Sequence, residues 1–225
     1  MSTRYSRQSH SCPYESVQNC TALVVGVGAI GRQVVRQLGL LGLKSIVIVD
    51  HDIIEEHNCV PQMFPQSSIG KKKVGYLAEE LADLCPDLDL VALDAKWSPK
   101  INDHFTLVVP SVDNIDVRKN IFEFYQEKCQ AFMDARIGGN NGMVLSATGN
   151  YEEKEWYRKT IFPKSEASRN GCAQPMTNYL ANIISGLLVQ GFANFASGRG
   201  LVPKIQEYSG VERSLIEHSE DIFDD

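Results

Sequence analysis

Short apolar runs alternate with helical patterns along the first half of the chain. The apolar runs are bounded by polar residues, glycine or proline, as buried strands are, and they cover residues 22–25, 45–49, 88–93 and 106–109. Between them, apolar residues recur at helical spacing over residues 30–41, 71–84 and 115–128. Strands that alternate with helices predict an α/β fold built on a doubly wound, mostly parallel sheet.

The pattern changes in the second half of the chain. Two apolar runs, residues 131–135 and 143–148, flank the turn-forming segment 138–142, which predicts an antiparallel C-terminal extension of the Rossmann-like sheet. Residues 150–170 are polar, charged and aperiodic, so we expect a long surface loop there. The apolar stretch 177–196 contains four side-chain amides, which favours a buried or subunit-facing helix over a membrane-spanning one.

Length and charge narrow the class of protein. A chain of 225 residues with 43% hydrophobic residues can hold one sizeable core, and we expect a single domain over residues 1–215. A net charge of −6 argues against duplex DNA as a partner. Residues 216–225 are predicted to form a solvated acidic tail, because like charges repel. The acidic residues of this tail are Glu217, Glu220, Asp221, Asp224 and Asp225.

The N-terminal residues and the cysteines bear on the location of the protein. The first residues lack the apolar core of a secretory signal, so we expect a cytoplasmic protein with reduced thiols and no membrane partner. The six cysteines include no C-x-x-C pair. That spacing argues against a structural zinc site and against a redox dithiol.

Three glycines follow the first predicted strand. Gly26, Gly28 and Gly31 have the G-x-G-x-x-G spacing of a nucleotide-binding turn, in which phosphate lies at the N-terminus of the next helix. Asp50 ends the second strand 19 residues after Gly31, near the distance at which a carboxylate binds ribose hydroxyls. In a parallel sheet, Gly26, Asp50 and Asp113 would all emerge at the carboxyl edge of the strands. Because dehydrogenases share this pattern, an NAD-dependent oxidoreductase is one alternative.

Further polar residues favour a triphosphate over NAD. Arg7 precedes the first strand, Asn58 and Gln62 follow the second, and Lys73 begins a predicted helix after a glycine. Cations neutralise phosphate oxygens, and an aspartate such as Asp113 can hold a magnesium ion. We therefore predict ATP and Mg²⁺ as cofactors, with Asp113 as the metal ligand.

Each of these residues also has a structural interpretation. Asp113 could cap the helix that begins near residue 115, Lys73 could lie in a solvated helix start, and Asn58 could form a turn. Arg7 could be an exposed arginine near a chain end. Arg118, five residues after Asp113, is expected to pair with a carboxylate and to brace the loop rather than to touch a ligand.

The motifs occur in an order that resembles a known family. They are R-Y-S-R-Q, G-V-G-A-I-G, D-H-D, N-x-x-x-Q, G-K-K-K and V-D-N-x-x-x-R. From residue 4 to about residue 195, this order resembles the ThiF and MoeB type of adenylyltransferase, which activates ubiquitin-like and sulfur-carrier proteins, and the activating enzyme of the ubiquitin-fold modifier.

The resemblance implies a role for each matching residue. Asp50 would bind ribose, Asn58 and Lys73 would lie near the phosphates, and Asp113 would bind magnesium. Arg7 would reach into the site of a partner protomer, which implies a homodimer. The nucleotide-binding set that the motifs imply is Gly26, Gly28, Gly31, Asp50, Asp52, Asn58, Gln62 and Lys73.

The chain departs from the family pattern in two places, and a third position is ambiguous. Pro61 stands where the family usually has an arginine, and a proline cannot neutralise phosphate. The C-x-x-C pairs that hold zinc in many relatives do not occur in the sequence. Cys172 lies where relatives carry a cysteine that captures the activated acyl group. A thiolate near a helix N-terminus and a small buried thiol both suit that position.

The predicted function is ATP-dependent adenylation of a C-terminal carboxylate. Thioester formation on Cys172 as a second step is left open. The substrate would be a small ubiquitin-like protein, a sulfur-carrier protein or a peptide. A catalytically reduced subunit of a heterodimer is the main alternative, in which Pro61 marks the loss of a phosphate cation. An oxidoreductase would need a second lobe, and little sequence remains after residue 130 to build one.

Overall fold

The computed structural model describes residues 3–161, 177–199 and 202–218. Its strands are β1 (Thr21–Val25), β2 (Ser45–Asp50), β3 (Asp89–Asp94), β4 (Phe105–Pro110), β5 (Cys129–Gly138), β6 (Asn141–Ala147), β7 (Ile205–Ser209) and β8 (Ser214–His218). Its α-helices are α1 (Tyr14–Val17), α2 (Ala29–Leu41), α3 (Lys73–Leu84), α4 (Ile115–Tyr125), α5 (Tyr151–Lys159) and α6 (Asn178–Ala196). The eight strands form one sheet in the order β3-β2-β1-β4-β5-β6-β7-β8.

The parallel half of the sheet confirms the predicted doubly wound α/β fold. β1 lies at its centre, between β2 and β4, and β3 and β5 extend it on either side, all parallel. β1 is buried on both faces, as expected of an apolar run in a parallel sheet. Leu23 faces a core formed with α4 and α5, whereas Val24 faces a core formed with α2, α3 and α6.

The antiparallel half begins with the predicted hairpin. β5 and β6 pair from Phe132↔Ala147 to Gly138↔Asn141, and Gly139 turns the chain with a φ of +59°. β7 and β8 then continue the antiparallel extension to the sheet edge. The sheet extends three residues beyond the predicted end of the domain at residue 215, because β8 runs to His218 and residues 216–218 pair with β7. Residues 219–225 lie outside the described part of the chain.

The longest helix, α6, packs as part of the core. Leu180, Ile184, Leu188 and Phe192 recur at helical spacing and are fully buried against the sheet and α2. By length and mean hydropathy alone the helix could cross a membrane, since its apolar window reaches 1.2. Its packing confirms the prediction of a buried helix.

The prediction of a surface loop over residues 150–170 is wrong for its first part, which forms α5. The Asn150 side chain caps this helix by accepting a hydrogen bond from the Glu153 backbone N–H at 2.7 Å. Trp156 and Tyr157 are buried beside α4, but the rest of the helix is mostly charged. Because the two buried residues are adjacent, no helical repeat is visible in the sequence. Residues 162–170 lie outside the described part of the chain.

A candidate nucleotide-binding site

Three loops meet at the carboxyl edge of β1, β2 and β4. The Gly26 N–H donates to the Val49 carbonyl at 2.8 Å, and the Ser111 N–H donates to the last residue of β1 at 2.7 Å. The Val27 N–H donates to Oδ2 of Asp50 at 2.8 Å. The predicted convergence of the glycine turn, Asp50 and the loop that carries Asp113 is therefore confirmed.

The three glycines of the turn differ in what the protein itself requires of them. A Cβ on Gly26, whose φ is +91°, would lie 2.6 Å from the Ser111 carbonyl oxygen. A Cβ on Gly31 would lie 1.9 Å from the Gly26 carbonyl oxygen. A Cβ on Gly28 would meet nothing closer than the Gln62 side chain, at 4.0 Å. The fold thus needs Gly26 and Gly31, whereas Gly28 keeps open a space in which a ligand could approach the backbone.

Gly28 is also the N-cap of α2, a helix of 13 residues. No side chain among the described residues caps this end. The N–H groups of the first turn therefore point away from the helix without an intrahelical partner, and the helix dipole favours negative charge there. An uncapped helix N-terminus beside an open backbone can bind phosphate.

Asp50, Asp52 and Lys73 form a chain of polar contacts beside the glycine turn. Oδ1 of Asp50 accepts a hydrogen bond from the Asp52 N–H at 2.8 Å. Nζ of Lys73 lies 2.9 Å from Oδ2 of Asp52, and this hydrogen bond holds the pKa of the Asp52 carboxyl below its usual range. Lys73 is 5% exposed, so it is not the solvated helix start that the sequence left open. Its ammonium group has two further donors for a ligand.

Asn58 and Gln62 lie in the long loop between β2 and α3. The Asn58 side-chain oxygen accepts a hydrogen bond from the Glu55 N–H at 3.0 Å, so its turn-forming interpretation is confirmed. The Gln62 side chain is the one nearest to Gly28. Its Oε1 is buried and has no partner among the described residues, and such an acceptor is normally satisfied by water or a ligand.

Arg32, which belongs to none of the sequence motifs, holds this long loop in place. Its Nη1 donates to the carbonyl oxygens of Gln62 at 3.0 Å and of Met63 at 2.8 Å, and its Nη2 lies 2.8 Å from Oε2 of Glu80 on α3. Arg32 is only 2% exposed. Its loop partners lie some 30 residues further along the chain, so no spacing in the sequence identifies its role.

Asp113 lies on the loop after β4, and its carboxylate is exposed. It does not cap α4, because Asn114 does so by accepting a hydrogen bond from the Asp116 N–H at 2.9 Å. The helix-cap interpretation of Asp113 is therefore wrong. No hydrogen-bond partner of its carboxylate occurs among the described residues. An exposed carboxylate on a loop whose Ser111 contacts the glycine turn fits Mg²⁺, which takes one or two carboxylates together with phosphate oxygens and waters.

Arg118, on α4, holds the same loop in place by hydrogen bonds to its backbone. Its Nε donates to the Val112 carbonyl oxygen at 2.7 Å, and its Nη1 donates to that of Pro110 at 2.9 Å. The guanidinium also pairs with the carboxylate of Asp134 on β5. The expectation that Arg118 binds a carboxylate and holds the loop is confirmed.

A second group of possible metal ligands consists of Asp50, His51 and Asp52, whose ligand atoms lie within 4.8 Å of one another. The oxygens of Asp50 accept two backbone N–H groups, and Asp52 pairs with Lys73. These carboxylates are therefore already engaged, which makes Asp113 the better candidate for a hard cation.

The structure does not bring Arg7 to this edge of its own chain. The adjacent Gln8 donates from Nε2 to the Leu41 carbonyl oxygen at 2.6 Å, at the far end of α2. A helix of this length separates that end from the glycine turn by about 20 Å. The implied role of Arg7 still requires a second protomer and stays a prediction. Cys172 lies outside the described residues.

The chain matches a protein-family model over nearly its whole length. The model of the ThiF family matches residues 5–220, which is nearly the whole chain. The match spans the glycine turn, both site loops and the antiparallel extension.

Curated relatives are similar over part of their length. The chain is 29% identical over 130 residues to SUMO-activating enzyme subunit 2 of Dictyostelium discoideum, covering 54% of this chain and 20% of that protein. It is 24% identical over 158 residues to the NEDD8-activating enzyme E1 catalytic subunit of Caenorhabditis elegans (68% and 36%). It is 27% identical over 142 residues to ubiquitin-like modifier-activating enzyme 5 of Bombyx mori (63% and 30%). The chain thus spans well under half the length of these relatives.

Solved structures share the fold over almost the whole chain. E. coli MccB with ATP superposes with a TM-score of 0.80 at 17% identity, covering 97% of this chain and 71% of that one. The microcin C7 biosynthetic enzyme MccB in complex with N-formylated MccA gives a TM-score of 0.77 at 17% identity, covering 96% and 72%. These similarities support the doubly wound fold with its antiparallel extension.

Proposed function

The chain belongs to the ThiF family, and on this basis we propose that it uses ATP to adenylate the C-terminal carboxylate of a ubiquitin-like or sulfur-carrier protein, or of a peptide. The curated relatives are named as activating enzymes for SUMO, NEDD8 and a ubiquitin-like modifier. MccB, which shares the fold, has been crystallised with ATP and with N-formylated MccA. The names of these relatives support a nucleotide and a protein or peptide tail as substrates.

The proposed reaction is a displacement at the α-phosphorus of ATP. An oxygen of the substrate carboxylate forms a bond to this phosphorus, the bond to the bridging oxygen breaks, and pyrophosphate leaves with the electron pair. The product is an acyl adenylate. No general base is required, because the carboxylate is already ionised at neutral pH.

The site residues would position the nucleotide and neutralise charge. The N–H groups at the start of α2 would bind phosphate oxygens, Lys73 would donate to them with its free N–H bonds, and Asp50 would accept from ribose hydroxyls through its remaining lone pairs. Asp113 would hold the magnesium ion, which neutralises negative charge on the phosphates when bound. Such pre-oriented charges stabilise the transition state without reorganisation.

The open space next to Gly28 is the observation that best supports this proposal. The protein's own atoms leave room for a side chain there, so a ligand is the remaining reason for a glycine at the uncapped helix end. Gly28→Ala should therefore leave the thermal unfolding temperature unchanged and weaken ATP binding by about tenfold or more. Gly75→Ala is the matched control, because Gly75 lies in α3 and its added Cβ would meet only the Lys72 side chain, at 3.8 Å.

The activity itself is tested by ATP–pyrophosphate exchange with the purified protein. We expect exchange that depends on Mg²⁺ and on a substrate with a free C-terminal carboxylate, offered as a small ubiquitin-fold protein ending in Gly-Gly and as short peptides. C-terminally amidated substrates are the control. Exchange that appears only after a second subunit is added would favour the heterodimer, and binding of NAD but not ATP would refute adenylation.

Other features stay proposals that rest on the sequence. They are a homodimer in which Arg7 acts on the partner's site, thioester formation on Cys172, and a cytoplasmic protein without DNA or membrane partners. Size-exclusion chromatography with light scattering tests the first of these, and a monomer in the presence of ATP would contradict it.

A further inference from the structure

A fully buried aspartate on β5 joins two arginines and a tyrosine. Asp134 is 0% exposed. Its Oδ1 pairs with Arg118 on α4, and its Oδ2 accepts hydrogen bonds from Nε of Arg136 at 2.9 Å and from the Tyr157 hydroxyl on α5 at 2.8 Å. Burial raises the pKa of Tyr157, so its hydroxyl keeps the proton that it donates. The adenylation chemistry proposed above assigns no role to this group.

The two oxygens of Asp134 lead in different directions. On the Oδ1 side, the Arg118 guanidinium that binds the carboxylate also donates to the carbonyl oxygens of Pro110 and Val112. Val112 directly precedes Asp113. Nη1 contacts both the Asp134 carboxylate and the Pro110 carbonyl oxygen, and the planar guanidinium fixes Nε relative to Nη1, so holding Nη1 also holds the Nε contact to Val112. The orientation of the loop that carries Asp113 therefore depends on Asp134.

On the Oδ2 side, the contacts lead away from the site. Arg136 donates from Nη1 to the Thr160 carbonyl oxygen at 2.9 Å, just beyond the end of α5. Tyr157 lies in the aromatic cluster with Phe122 and Phe132. These contacts attach α5 to the sheet.

We propose that Asp134 is a positioning residue for the metal ligand Asp113: it holds the Arg118 guanidinium against the carbonyl oxygens of Pro110 and Val112 and so fixes the Asp113 carboxylate where Mg²⁺ and ATP meet. The inference rests on the proposed function, which makes Asp113 the metal ligand. It assigns the effect to the Oδ1 side of Asp134 and not to the Oδ2 side. Supporting residues behind a metal ligand typically change metal affinity by about 10–100-fold when they are altered.

The test measures the Mg²⁺ concentration required for half-maximal binding of a nonhydrolysable ATP analogue to the full chain. Arg118→Lys keeps the charge but replaces the separately placed Nε and Nη1 by one nitrogen, which cannot keep both the Val112 contact and the Pro110 and Asp134 contacts in their present geometry. Asp134→Asn removes the charge at nearly constant shape. Each should raise the required Mg²⁺ concentration about tenfold, while binding of the analogue without Mg²⁺ is unchanged. Tyr157→Phe, the matched control on the Oδ2 side, should stay within about twofold of the wild type.

The double variant that combines Arg118→Lys with Asp134→Asn tests whether Asp134 acts on the Asp113 loop through Arg118. If Asp134 acts through Arg118, the combined shift in Mg²⁺ requirement should be no larger than the larger single shift. Asp134→Glu, which displaces the carboxylate by one methylene, replaces the asparagine variant if thermal unfolding shows that the latter does not fold. The same tenfold rise is expected for it.

Three outcomes would overturn the inference. They are an unchanged Mg²⁺ requirement in Arg118→Lys, equal shifts in Arg118→Lys and Tyr157→Phe, and additive shifts in the double variant. Failure of the proposed function would look different, because a wild-type protein that binds no analogue at any Mg²⁺ concentration refutes the nucleotide site itself. A shift in Mg²⁺ requirement without pyrophosphate exchange would support the positioning role and refute adenylation alone.

Discussion

The two loops that form the candidate site are held by the same device in different settings. The loop after β4, residues 110–114, is short and leads directly into α4. The loop after β2, residues 51–72, is long and contains two turns of 3-10 helix. A buried arginine on a helix donates to two backbone carbonyls of each loop: Arg118 on α4 holds the short loop, and Arg32 on α2 holds the long one.

The two arginines differ in the carboxylate that balances their charge. Arg118 pairs with Asp134, which is 0% exposed. Arg32 pairs with Glu80, which is 22% exposed and also lies 3.4 Å from Nε of Arg36. Breaking a buried pair leaves an uncompensated charge in the protein interior, whereas water can solvate a partly exposed one. The short loop is therefore the more tightly determined of the two.

The largest expected difference between the loops concerns activity. Asp113→Ala on the short loop should lower ATP–pyrophosphate exchange by at least about a hundredfold, because it removes the group that would hold the metal against the phosphates. Gln62→Ala on the long loop should cost only about tenfold, since it removes a neutral contact. Asp116→Ala, an exposed carboxylate in the first turn of α4, is the control. An active Asp113→Ala enzyme would remove this aspartate from the mechanism.

A second difference concerns stability. Asp134→Ala should lower the free energy of unfolding by about 3–5 kcal/mol, because two buried arginines lose their carboxylate. Glu80→Ala should lower it by about 2 kcal/mol, since Arg32 keeps its two carbonyl partners. Urea unfolding of both variants, compared with the wild type, measures the two values. Equal losses would show that burial does not distinguish the two arginines.

The smallest expected effect is the pH dependence of the Asp52–Lys73 pair on the long loop. The hydrogen bond from Lys73 lowers the pKa of Asp52 from its ordinary value of 3.8, so the carboxylate binds protons less readily in the folded protein than in the unfolded chain. Its contribution to stability is complete above that value and is lost as the pH falls through the lower pKa of the folded state. Because Asp52 is half-exposed, we expect a difference of only about 1–2 °C in melting temperature between wild type and Asp52→Asn at pH 6.

That difference should shrink as the pH is lowered toward 3 and as salt is raised to about 1 M, which screens exposed charges. Melting curves of both proteins across this pH range provide the measurement. A difference that grows on acidification would contradict the assigned direction of the pKa shift.

Sequence patterns predicted the parallel half of the molecule better than the antiparallel half. β1 and β4 are apolar runs buried on two faces, and a run of apolar residues without alternation predicts such burial from the sequence alone. β7 and β8 are short and mix polar with apolar residues, so their pairing depends on β6. The sequence does not predict α5, because its only buried residues, Trp156 and Tyr157, are adjacent and give no repeat at helical spacing.

Within the site, Arg118 could be anticipated and Arg32 could not. Arg118 follows Asp113 by five residues, so its reach back to the loop is a local property of one helix turn. Arg32 and its loop partners are some 30 residues apart, and no spacing rule connects them. The same holds for Asp134, whose partners Arg118 and Tyr157 come from α4 and α5.

By itself, the sequence determined the strand and helix periods, the glycine turn after β1, and the set of polar residues that follow the strands. These features depend on contacts within a few residues, and local chemistry is sufficient to specify them. Only the tertiary structure decided which glycine the fold leaves open, that Asn114 and not Asp113 caps α4, and which carboxylate pairs with each of the two arginines. Those choices depend on which side chains, far apart in the sequence, come into contact in the protein interior, where the low dielectric strengthens polar contacts. The local sequence pattern does not specify these contacts.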